Sequence, residues 1–75
     1  MPQVPLLRPR EVVQVFERYG WRAVRQRGSH IIMTKTGHFA SLSIPDHPQV
    51  ARGTLRAFIA KAGLTTDEFL SVLNS

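Results

Sequence analysis

Arg25-Gln26-Arg27-Gly28-Ser29-His30 sets an imidazole directly after a glycine turn and among basic side chains. Arginine forks hold phosphate oxygens, and an imidazole moves a proton near neutral pH. That pairing suits work on a phosphodiester, with His30 as general acid or base. Arg25, Arg27 and Lys35 are the candidate phosphate contacts. A second cluster, Gly53-Thr54-Leu55-Arg56, lies about one helix length before the stop at Ala62-Gly63-Leu64. Arg52 and Arg56 stand one helical turn apart there. They can grip RNA or the acidic surface of a protein.

The bland readings differ from residue to residue. A strand histidine often does no more than hydrogen-bond a turn. Arginines on a strand often form only a solvated face. Ser29 has no acidic orienter paired with the neighbouring His in sequence, so it reads as a turn residue and not a nucleophile. His38 and His47 read as loop residues. With Asp46 they match no closed metal site, so no metal is expected. Trp21 and Tyr19 read as core aromatics, whereas Phe39 is equally suited to stacking a base.

The elements that must position these groups follow from periodicity. Pro9 suits a first helical turn, and Val12, Val13, Phe16 and Tyr19 then recur at helical steps up to Gly20. Trp21–Gln26, His30–Lys35 and Phe39–Ile44 read as three consecutive antiparallel strands, separated by Arg27-Gly28-Ser29 and Thr36-Gly37. Pro45–Val50 reads as a loop. Thr54–Ala62 carries Leu55, Phe58, Ile59 and Ala62 on one face, and Gly63 closes it. Thr65 and Glu68 form a capping box for a short third helix, flanked by Leu64 and Phe69 at the staple positions.

The expected order is therefore α-β-β-β-α-α, in a single α+β domain over residues 1–75. Met1–Leu7, with two prolines and no periodicity, reads as a loose or extended arm. A sheet of three strands must bury one face to be stable. Ile31, Met33, Ala40, Leu42 and Ile44 fit that face, with Val13, Phe16, Leu55, Phe58 and Ile59 from the helices. His30 then lies toward the open side.

Composition narrows the function classes. Seventy-five residues leave little room for an internal cofactor pocket. The absence of cysteine excludes a disulfide scaffold and any thiolate metal site. No apolar run is long enough to span a membrane and no signal pattern is present, so the cytoplasm is the expected location and no membrane partner is expected. Ten basic residues against five acidic ones, most of them arginine, favour a polyanion or an acidic protein as partner.

In order and spacing, these motifs resemble the HicA family, the mRNA interferase half of bacterial type II toxin–antitoxin pairs. The resemblance rests on Gly20-Trp21, Arg25 to His30, Ile44-Pro45, His47-Pro48, Gly53-Thr54-Leu55-Arg56 and Ala62-Gly63-Leu64. It implies a fold like a double-stranded-RNA-binding domain, with helices on one face of a three-stranded antiparallel sheet. It implies cleavage of mRNA through His30 without a metal or other cofactor. It also implies neutralisation by a HicB-like antitoxin. The chain departs from the pattern at Ile31, where many relatives carry a second histidine, and in the loop Gln49-Val50-Ala51-Arg52, usually more charged. A non-catalytic RNA-binding module of the same fold is the alternative. A DNA-binding or protein-interaction domain is weaker, because the Thr54–Ala62 helix is short and offers only Arg56 and Lys61 as long polar readers.

Overall fold

The computed structural model describes residues 3–75. The chain is built as α1 (Pro9–Arg18), β1 (Arg22–Arg27), β2 (His30–Thr34), β3 (Leu42–Pro45), α2 (Arg52–Lys61) and α3 (Thr66–Leu73). The α+β class and the element order are as the periodicity predicts. The sheet is antiparallel throughout, in the order β1-β2-β3.

Each helix starts and stops for a local reason. Pro9 occupies the first turn of α1, and the Glu11 carboxylate accepts the Arg8 backbone N–H at 2.9 Å. The turn after the helix passes through Gly20 at φ 94°, and the Trp21 N–H reaches back to the Phe16 carbonyl. Thr65 caps α3 as its sequence requires. Its hydroxyl accepts the Glu68 N–H at 3.1 Å, and the Glu68 carboxylate accepts the Thr65 N–H at 2.8 Å. α2 begins at Arg52, two residues before Thr54, with Ala51 at its cap.

The core lies between one sheet face and the helices. Register places Ile31 opposite Ile44, and Met33 opposite Leu42. Met33, Leu42 and Ile44 are fully buried, while Ile31 is half-buried. α1 packs against β1, β3 and α3, and α2 packs against α3. Phe16 is the aromatic hub: its ring meets Trp21 edge-on at 6.4 Å and Phe69 at 5.4 Å. The Tyr19 hydroxyl donates to the Glu68 carbonyl at 2.6 Å and ties α1 to α3.

Three expectations need correction. Val15, not Val13, completes the buried stripe of α1 with Val12 and Phe16. Val13 and Phe58 are half-buried at the rim of the core. The third strand starts at Leu42, not Phe39, because the loop before it folds around the His38 ring. The arm is not loose over its described residues. Val4 and Leu7 are buried, Leu7 bridges to Val50, and the Val50 N–H donates to the Leu7 carbonyl at 2.8 Å. Apolar residues without periodicity can still supply a strap when a loop offers them a backbone partner. Met1 and Pro2 lie outside the described residues.

The strap gives a stability test. Leu7→Ala should destabilise the domain by about 2–5 kcal/mol in urea unfolding, as a buried Leu→Ala change does. A domain of this size has only about 4–11 kcal/mol in total. An unchanged midpoint would mean that the arm is dispensable.

Candidate functional site

The β1–β2 hairpin carries the candidate site. Its loop is two residues, Gly28 and Ser29, with Gly28 at φ 55°. Glycine at the first of two loop residues is the arrangement of a type II′ turn, whose twist matches the strands. Nothing lies within 4 Å of a Cβ added at Gly28, so its backbone angle and not crowding selects glycine. His30 begins β2 immediately after this turn and is exposed.

The register decides which side chains join it, and a bulge interrupts that register once. Ala23 pairs with Met33, but Arg25 pairs with Ile32, so Val24 is an extra residue in β1. Ala23 keeps to the core side beside Met33. Past the bulge, Arg25 and Arg27 lie opposite Ile32 and His30, on the open face. Arg22, before the bulge, lies opposite Thr34 on the same open face. Opposed residues on one face sit about 4.5–5.5 Å apart at Cβ, and diagonal ones about 7–8 Å. Arg27 is therefore the direct neighbour of His30, with Arg25 on its diagonal. From β3, Ser43 and Pro45 share the face opposite Ile32 and His30.

The turn is held from both sides. The Asp46 backbone N–H donates to the Ser29 carbonyl at 2.6 Å. The Gln26 amide donates to the Asp46 carboxylate at 3.1 Å and to the Gly28 carbonyl at 3.3 Å. Gln26 and Asp46 thus position the histidine turn. Gln26 stands within the Arg25–His30 motif, but nothing in its spacing marks it for this role. Beside them, Asp46, His47 and Pro48 line a shallow cleft with Arg8, Pro9, Arg10, Glu11 and Ile31. Arg8 and Arg10 extend the basic surface at this end of the molecule.

The other sequence candidates fall elsewhere. Lys35 follows β2 at the far end of the sheet, half-buried, and an added Cβ on Gly20 would meet its side chain at 3.4 Å. Arg52 and Arg56 start α2 in the helical layer, away from the open face. The Arg52 Nε donates to the Val4 carbonyl at 2.9 Å, so this side chain also anchors the strap. Arg56 is exposed. His38 lies at the opposite end of the sheet from Asp46 and His47, and among the described residues no three His, Asp or Glu side chains gather as a metal set.

The arrangement can therefore hold a phosphate by Arg25 and Arg27 and offer one imidazole to the same group. If Gly28 sets this geometry, Gly28→Ala should cost roughly 1–3 kcal/mol for a side chain forced to positive φ. Thermal unfolding with amide spectra of the β1–β2 strands checks this. Parental stability with an unshifted hairpin would contradict it.

No curated protein matches the chain. Among the described residues, no helix is long and apolar enough to cross a membrane. The family model described as the HicA toxin of bacterial toxin–antitoxin matches residues 9–64, from the start of α1 through the end of α2. The chain belongs to the HicA toxin family and is the toxin member of a toxin–antitoxin system.

Proposed function

We propose that this toxin is a cytoplasmic endoribonuclease that cleaves mRNA with His30 as its catalytic group. The observation that carries the reading is the exposed His30 directly opposite Arg27, with Arg25 on the diagonal of the same open face. The arginines hold the scissile phosphate. The imidazole takes the proton of the ribose 2′-hydroxyl as its oxygen attacks phosphorus. The bond to the 5′-oxygen then breaks, and that oxygen takes a proton from water. The products are a 2′,3′-cyclic phosphate and a 5′-hydroxyl. The same imidazole can instead donate to the leaving 5′-oxygen, with water accepting the 2′ proton.

One imidazole serves one end of this reaction at a time. Such proton transfer contributes about 10²–10⁴ in rate, so a slow enzyme follows. Arg52 and Arg56, on α2, and Lys35, at the far end of β2, are secondary contacts for a longer RNA. A HicB-like antitoxin inhibits by covering His30 and setting acidic groups over the Arg25–Arg27 turn, where complementary charge speeds association and excludes RNA.

Induced expression of the chain alone should arrest growth and shorten mRNA lifetimes, and His30→Ala should relieve both. The histidine is exposed, so its removal leaves the core intact. A folded alanine variant as toxic as the parent would refute catalysis by His30. Retained RNA binding without cleavage in the parent would favour the non-catalytic module.

Phosphate contacts also set salt dependence. Each one lost reduces the slope of log affinity against log salt by about 0.7 on single strands. Arg25→Gln with Arg27→Gln, in the His30→Ala background, should flatten the slope by about 1.4 and slow association with the antitoxin. An unaltered slope would move the RNA surface to Arg8, Arg10 or α2.

A further inference from the structure

Phe39 is fully exposed, at 101% of its reference area, in the loop between β2 and β3. Its ring lies nearly parallel to the His38 ring, 8° apart in plane and 5.6 Å between centroids. His38 in turn lies 4.8 Å from the Trp21 ring. Trp21 is buried against Phe16. The rings form a ladder from the core out to solvent.

The backbone holds the ladder. The His38 N–H donates to the Lys35 carbonyl at 3.0 Å, closing the turn through Gly37 at φ 82°. The Ala40 N–H donates to His38 Nδ1 at 3.2 Å. The outer ring is thus presented by a preformed loop, and a ligand stacking on it meets little ordering cost.

We propose that Phe39 is a stacking platform for an unpaired base of the RNA substrate. This rests on the ribonuclease reading above. The surroundings favour a base over a protein side chain. In the same loop Thr36, Gly37 and Ser41 are small and exposed, and Lys35 at its start adds positive charge. A protein anchor sits in an apolar pocket ringed by contacts that exclude water. A base needs only a flat ring, and any base will do. The platform stands at the opposite end of the sheet from His30. The length of β2 separates them by roughly 15 Å. The stacked base therefore lies several nucleotides from the scissile bond, and the open face between them carries Arg22, Arg25 and Arg27.

The test uses the full chain with His30→Ala, so that RNA is bound and not cut. The probe is a single-stranded RNA carrying 2-aminopurine, whose fluorescence falls on stacking. Phe39→Ala should weaken binding about 5- to 100-fold and abolish part of the quenching. Phe39→Trp should restore both. Circular dichroism should show all three proteins folded, since the replaced side chain is in solvent. Unchanged affinity and quenching in Phe39→Ala would overturn the proposal. Unchanged RNA affinity with weakened antitoxin binding would overturn it in favour of a protein anchor. Failure of the His30→Ala chain itself to bind RNA would overturn both this proposal and the ribonuclease reading, whereas normal binding and parental cleavage with an indifferent Phe39 would overturn this proposal alone.

Discussion

Three strands cannot bury both faces, and Val24 is the residue that brings every arginine of β1 to the open one. The strand Arg22–Arg27 has arginines at both even and odd positions. In a regular strand the two parities take opposite faces, and Arg22 would share the helix side with Gln26. The bulge inserts one residue and shifts parity. Arg22, Arg25 and Arg27 then all face outward, while Ala23, itself exposed, lies opposite Met33 on the other side. Val24 is left half in water, beside a shallow groove shared with Arg10, Val13 and Ile31. Arg22 thereby joins the face that Arg25 and Arg27 share with His30 through the register of the turn.

The same division explains what was legible in the sequence. Met33, Leu42 and Ile44 alternate cleanly because β2 and β3 are regular, so their buried face follows from period two. The Thr65–Glu68 box is local chemistry and needs no tertiary information. His30 was placed on the open side by the same alternation. A bulge leaves no mark in composition, so the side taken by Arg22 needed the register. The strap at Val4 and Leu7 depends on a backbone partner more than forty residues away, Val50. Gln26 and Asp46 likewise meet only when β3 closes over the hairpin. Each of these is a long-range contact, and periodicity reports only on short-range ones.

The family match ends at Leu64, but the core does not. Phe69 of α3 is fully buried against Phe16, and Val4 and Leu7 are buried ahead of α1. The flanks outside the matched region therefore close the hydrophobic core that the matched region opens. A charged sheet face can stay exposed on so small a domain because strap and third helix supply the burial that the open face does not. Site and stability are kept on opposite sides of one sheet.

The proposed reaction cuts RNA on this face through His30 and the 2′-hydroxyl. Its most direct test is product analysis after incubating the purified chain with a defined RNA. The account predicts fragments ending in 2′,3′-cyclic phosphate and 5′-hydroxyl. It predicts none when His30 is replaced by alanine, and none at a cut site carrying a 2′-deoxyribose. Equal cleavage by the folded His30→Ala chain, or of the 2′-deoxy site, would contradict it.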